Sequence, residues 1–179
     1  MHFEKLINFI AGKSDLFESI VGYFKNIDKI VTLDGSNFES FNKKIWPKSC
    51  GVYIIRLKSS NEVLYVGMCG KVRAEDGQVA YMNNSIFGDR VGRWTPYVFQ
   101  NEGLHTGHWE CGPTFKSSTK KPTFNPTNYR HKFPFIEIKI ECICLDSDWI
   151  GLTPTFLETL LLQVYLTKNS RLPIGNNEL

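Results

Sequence analysis

Long apolar runs are missing from this chain, and each such shortage removes a class of protein from consideration. No stretch approaches the roughly 18 consecutive apolar residues that cross a bilayer as a helix, so no place within a membrane is expected. The opening MHFEKLINFIAGK is broken by Glu4, Lys5 and Asn8 and lacks the unbroken apolar core of a secretory signal, which makes the cytoplasm the expected location. Cysteine is sparse and odd in number: Cys50, Cys69, Cys111, Cys142 and Cys144, 5 in all, do not have the spacing of a disulfide framework. Most sit in or beside apolar strands, where reduced, buried thiols are expected. A dominant charge sign is also lacking. With 21 Lys and Arg against 18 Asp and Glu, the net charge of +3 does not by itself point to a polyanion, so an argument for nucleic acid must rest on where charges sit.

What is present suits one globular domain over residues 1–179. The 42% of hydrophobic residues suffice for a core, and the length leaves room for insertions. Residues 3–45 read as helical. Phe3, Leu6, Ile7 and Ile10 fall at helical spacing before Gly12-Lys13, and Asp15 with Glu18 has capping-box form ahead of the stripe Leu16, Phe17, Ile20, Val21, Phe24. A third helical segment is expected at 38–45, stopping before Trp46-Pro47. These helices are expected to brace the strands that come after them in the chain, with a role in dimerisation or DNA contact left open.

The organising stretch is 51–67, GVYIIRLKSSNEVLYVG. Two short runs rich in β-branched and aromatic residues flank a polar turn at 58–62, which predicts a β-hairpin. Strict alternation places Tyr53 with Ile55 and Tyr65 with Val63, and lets the two phenols meet across the sheet. Residues 68–85 and 95–132 read as surface insertions. Between them, Ile86, Phe87, Val91 and Trp94 predict a short helix with Ser85 as its N-cap and Arg90 at the border of its apolar stripe. Residues 133–145 alternate Ile136, Ile138, Ile140, Cys142 and Cys144 with Glu137, Lys139, Glu141 and Ile143. That pattern predicts a strand with one buried face and solvated charges on the other. Residues 153–166 predict the most apolar helix, with Pro154 in its first turn and a Thr155/Glu158 capping box. Glu158 is the lone carboxylate between Asp148 and Glu178. A buried carboxylate needs a cation, a hydrogen-bond partner or an exit to water, and capping would supply such a partner for Glu158. The expected fold class is α/β in the broad sense (α+β): a small, mostly antiparallel sheet flanked by helices, with 1–49 as an N-terminal helical extension of the 50–179 core.

GVY at 51–53 and YVG at 65–67, with Arg90, Glu158 and Asn176 after them in that order, resemble the motif of the GIY-YIG nuclease superfamily over roughly residues 50–177. The resemblance implies metal-dependent hydrolysis of a nucleic-acid phosphodiester, with double-stranded DNA the expected substrate. Within it, Tyr53 would orient or deprotonate water, Tyr65 would hydrogen-bond the phosphate or nucleophile, and Arg90 would bind the scissile phosphate. Glu158 would hold Mg²⁺ or another divalent cation such as Mn²⁺, and Asn176 would anchor the C-terminal loop, with Asn169 and Asn177 as weaker alternatives. An unperturbed tyrosine titrates near pH 10, so activation of Tyr53 would need nearby cations. Many relatives carry a histidine four residues after the arginine, where this chain has Trp94, which leaves the base assignment open; Arg93 competes with Arg90. The helical extension and the insertions resemble restriction endonucleases of the superfamily. The alternatives are a repair or recombination nuclease and a non-catalytic DNA-binding protein. Palindromic cutting would favour a homodimer.

Two further groupings carry chemistry. Residues 112–132 hold Lys116, Lys120, Lys121, Arg130 and Lys132 without one acidic residue, interleaved with Phe115, Phe124 and Tyr129. With Lys71 and Arg93 they are the expected DNA contacts. His105, His108 and Cys111 are zinc-ligand types, but no fourth ligand is evident.

Overall fold

The computed structural model describes residues 2–35, 47, 49–70, 72–75, 78–81, 109–110, 123–124, 133–134, 137–145 and 152–176. The expected helices at 38–45 and 85–94, and with them Arg90 and Arg93, lie outside the described residues. So do Lys71, Lys116, Lys120, Lys121, Arg130, Lys132, Asn177 and the His105/His108/Cys111 group.

The described elements, in chain order, are α1 (His2–Ile10), α2 (Leu16–Asn26), β1 (Ile30–Asp34), β2 (Cys50–Leu57), β3 (Val63–Cys69), β4 (Val72–Glu75), β5 (Gln78–Tyr81), β6 (Trp109–Glu110), β7 (Thr123–Phe124), β8 (Phe133–Pro134), β9 (Ile138–Leu145) and α3 (Pro154–Asn169). The central sheet has the order β1-β9-β2-β3, and every pair in it is antiparallel. This is an α+β architecture. Among the described residues no helix is long and apolar enough to cross a membrane.

The first two helices form as their sequence predicts. Asp15 caps α2, its Oδ1 accepting from the Glu18 N–H at 3.3 Å, and Gly12 takes φ 74 in the link between α1 and α2. The helical expectation for 3–45 fails at 30–34. Ile30, Val31, Thr32 and Leu33 form β1 along β9, with Val31 opposite Cys142 and Leu33 opposite Ile140. Their β-branched side chains suit a pleated surface, and the β9 edge supplies the backbone partners that a local helix would otherwise supply.

Both faces of the sheet are buried, against the expectation of a single buried face. On one side, Leu6, Phe17, Ile20 and Phe24 of α1 and α2, together with Leu157, Leu161 and Leu162 of α3, pack on Val52, Ile54, Val63, Val66, Ile143 and Leu145. On the other, Tyr53, Ile55, Leu64, Cys69, Ile138, Ile140, Cys142 and Leu33 form a second cluster. The run 133–145 is accordingly two strands, β8 and β9. The insertions at 68–85 and 95–132 are not featureless loops: β4 and β5 pair antiparallel, and β6, β7 and β8 form a three-stranded sheet.

Candidate functional site

GVY and YVG are register partners, Tyr53 opposite Gly67 and Ile55 opposite Tyr65. Opposed residues in an antiparallel pair project from the same face. Tyr53 and Tyr65 therefore sit diagonally on the face away from the three helices, with ring centroids 5.8 Å apart and planes inclined by 38°. At that separation aromatic pairs attract beyond the area they bury. Tyr53 is enclosed, 1% exposed, whereas Tyr65 keeps part of its surface open.

Gly67 lets the rings approach. A Cβ at this position would stand 2.5 Å from Tyr65 Cε1, 2.6 Å from Tyr53 Oη and 2.7 Å from Tyr53 Cζ, all closer than side-chain atoms come. The glycine of YVG is thus the floor under both rings. The Tyr53 phenol, rooted in β2, reaches over β3, which is the outer strand of the sheet. Gly51 of GVY has φ 152, a backbone setting that side-chain-bearing residues rarely adopt.

The outer edge of β3 is held by the segment after α3. Gly175 N–H donates to the Leu64 carbonyl at 2.7 Å. The Asn176 carboxamide then brackets Val66, its Oδ1 accepting from Val66 N–H at 2.9 Å and its Nδ2 donating to Val66 O at 2.7 Å. A side-chain amide here does what a neighbouring peptide group would do, one residue from Tyr65 and one from Gly67. Asn169, by contrast, donates to the Tyr165 carbonyl within its own helix, at 2.9 Å.

Cys142 is the strand partner of Tyr53 on the β9 side. Burial, then the neighbouring Cys144 and Cys69, pushes its thiol well above the ordinary cysteine range. It is a neutral packing neighbour of the phenol, not a nucleophile. Cys50, Cys69, Cys142 and Cys144 are all free thiols.

No family model, curated protein or solved structure matches this chain.

Glu158 is not the glutamate of a capping box. Thr153 caps α3, its Oγ1 accepting from Phe156 N–H at 3.1 Å, with Pro154 opening the helix. A capping-box glutamate stands three positions beyond the cap; Glu158 stands five beyond Thr153. The expected Thr155 cap is corrected by the same geometry, because Thr155 lies inside the helix, where its carbonyl accepts from Thr159 Oγ1 at 2.9 Å. Pro154 makes the difference, since its fixed φ and missing N–H suit the first helical position and leave Thr153 as the residue before it. Glu158 is partly buried and shares a stripe with Pro154, Leu157, Leu161 and Leu162. That stripe packs on β2 and β3 from the face opposite the tyrosines. The pair and the glutamate-bearing helix therefore flank β3 from opposite faces of the sheet, and a site containing both has to wrap around the β3 edge.

The residue that sequence reasoning passes over is Arg56. It is 1% exposed. Its Nε donates to Glu141 Oε2 at 2.5 Å, Nη1 to Glu18 Oε1 at 2.8 Å and to the Asn61 carbonyl at 3.2 Å, and Nη2 to Glu18 Oε2 at 3.2 Å. The guanidinium also lies 5.4 Å from the centre of the Phe17 ring. Glu141, expected to be solvated, is 16% exposed and serves as one of its two counter-ions.

Proposed function

We propose that this chain is a GIY-YIG endonuclease that hydrolyses DNA phosphodiester bonds with a divalent cation, in the manner of a type II restriction enzyme. The observation that carries the proposal is the close, tilted Tyr53–Tyr65 ring pair on the Gly67 floor. Gly67 leaves the space in which the two phenols come together, as a motif that presents both to one phosphate would need.

Phosphodiester hydrolysis needs a placed water, neutralisation of charge on the phosphate and help for the leaving oxygen. Tyr65, with part of its surface open, is suited to bond the phosphate or the nucleophile, and the enclosed Tyr53 to orient water through its hydroxyl. Arg90 and, beside it, Arg93 supply the cationic candidates for the phosphate. Asn176 acts through the backbone of Val66, holding the strand between the two motif residues. Among the described residues no group of three or more His, Cys, Asp or Glu side chains could hold a metal ion. A single carboxylate is nonetheless a fitting donor for Mg²⁺, which retains waters and is often held by one or two carboxylates plus substrate phosphate. Glu158, partly buried on α3, would be that carboxylate. When bound, Mg²⁺ or Mn²⁺ would neutralise phosphate charge and assist the leaving group.

Lys71, Lys116, Lys120, Lys121, Arg130 and Lys132 would hold the duplex by its backbone, and a homodimer would serve palindromic cutting. The test is incubation with plasmid or genomic DNA, with and without Mg²⁺, and then sequencing of the ends produced. Recurrent cation-dependent ends support the reading. Salt-sensitive binding without cleavage identifies a DNA-binding protein instead, and neither activity removes nucleic acid from the account.

A further inference from the structure

The two edges of the central sheet end differently. At β3, Gly175 and Asn176 engage the outward peptide groups of Leu64 and Val66. At the other edge β1 runs along β9 without a break in register, and among the described residues β9 is its sole strand partner. The Cys144 N–H donates to the Lys29 carbonyl at 2.8 Å, which fixes the phase of the ladder. Lys29, Val31 and Leu33 turn their peptide groups toward β9, so Ile30, Thr32 and Asp34 turn theirs outward. Neither face is closed over the middle of this strand. Val31, on the tyrosine face, is 40% exposed, and Thr32 is exposed on the helix face, where α3 packs on β2 and β3. Natural sheets blunt an open edge with a proline, a bulge or an inward-pointing charge. Residues 30–33, Ile-Val-Thr-Leu, have none of these.

We propose that β1 is the interface for a second copy of this chain, joined antiparallel about a two-fold axis at Thr32 into one continuous sheet. The strand is self-complementary in that arrangement. Thr32 meets Thr32 of the second copy and Ile30 meets its Asp34, so the outward peptide groups of these residues find their counterparts across the axis, as an isologous contact requires. Exposed Val31 comes opposite Leu33 of the second copy and is covered by it, and the central Thr–Thr pair is a favoured cross-strand pair. The charges agree with this direction. Lys29 precedes the strand and Asp34 ends it, so antiparallel pairing brings the basic start of each copy beside the acidic end of the other, whereas parallel pairing would align like with like. Because the axis is perpendicular to the sheet, the Tyr53–Tyr65 pairs of both copies lie on one continuous surface of it. That each pair serves one strand of a duplex rests on the nuclease reading; the interface does not.

The experiment is sedimentation of the full chain over a range of concentrations, with amide hydrogen exchange followed residue by residue on the same protein. The wild type is expected at twice the 20.6 kDa chain mass, with the outward Thr32 amide exchanging as slowly as the inward amides of Val31 and Leu33. Thr32→Pro deletes an N–H that the β1–β9 ladder does not use, and proline is tolerated on an edge strand where the N–H side faces out. It is expected to be a folded monomer. Should it fail to fold, Val31→Lys sets a charge at an already exposed position opposite Leu33 of the second copy, and is likewise expected to halve the mass. A wild type that stays monomeric at every concentration overturns the proposal, as does a folded variant that dimerises like the wild type. So does a dimer whose Thr32 amide exchanges far faster than those of Val31 and Leu33, which would place the contact elsewhere. A dimer through β1 that never cuts DNA leaves the interface standing and removes the nuclease reading; a monomer that cuts does the reverse.

Discussion

At position 67 the side chain is a hydrogen, and the rings of Tyr53 and Tyr65 occupy the space a methyl group would need. Gly67→Ala should push at least one ring away, destabilising the protein by about 1–3 kcal/mol, as overpacked sites do. Chemical denaturation together with the ring-to-ring NMR contacts measures both effects; full stability with intact contacts would show that the floor is not needed. Asn176→Ala removes two side-chain bonds to one strand residue. Leaving buried backbone groups of Val66 without those partners should cost about 1–3 kcal/mol, and a loss under a few tenths in the same assay would argue against the clamp. The tyrosines and glycines are legible in the sequence because hairpin chemistry selects them locally. Arg56 is not: an arginine in a strand ordinarily reads as solvated, and its counter-ions lie 38 and 85 residues away. The register shift between Ile55 and Arg56 is hidden as well, because alternation assumes an unbroken register.

Among the elements, α3 gives the sharpest contrast between pattern and structure. Two overlapping cap signals, Thr153-Pro154 and Thr155/Glu158, stand in its first residues, and the geometry at Thr153 selects the first. Thr153→Ala should therefore cost about 1 kcal/mol of stability, and Thr155→Ala no more than about 0.5 kcal/mol. Equal effects in thermal unfolding would return Glu158 to a capping role. β1 reads as helical in the sequence because so short a segment does not let periodicity separate helix from strand, and its partner β9 lies more than a hundred residues on. The ends of α2 and α3 are tied by Lys168 to Asp15 at 2.5 Å. This bond is the main cause of the Asp15 carboxyl titrating below its usual value, and it raises the Lys168 ammonium in turn. A carboxyl with a depressed folded value contributes stability above its unfolded value, near pH 3.9, and loses it as pH falls through the lower, folded one. Asp15→Asn keeps the cap, because asparagine caps about as well as aspartate. The stability gap between wild type and variant should thus be present at neutral pH and close in acid; a gap independent of pH would assign it to something other than the ion pair.

For the molecule as a whole, the α+β class and the central hairpin come from composition and pattern, whereas the burial of both sheet faces and the placement of α3 opposite the tyrosines come from tertiary packing. The proposed DNA surface is carried by the insertion whose basic residues cluster at 112–132. Replacing Lys116, Lys120 and Lys121 together by alanine should weaken DNA binding and reduce the magnitude of the slope of log affinity against log salt by about 2–3, close to one unit per lost phosphate contact. An unchanged slope would mark these lysines as solvated. The most direct test of the catalytic account is Glu158→Gln, which keeps size and removes charge. Thermal stability, DNA binding and Mg²⁺-dependent cleavage would be measured on one preparation beside the wild type. The account predicts a folded variant that binds DNA as the wild type does and cuts it slower by several orders of magnitude; a folded variant that cuts at the wild-type rate would contradict it.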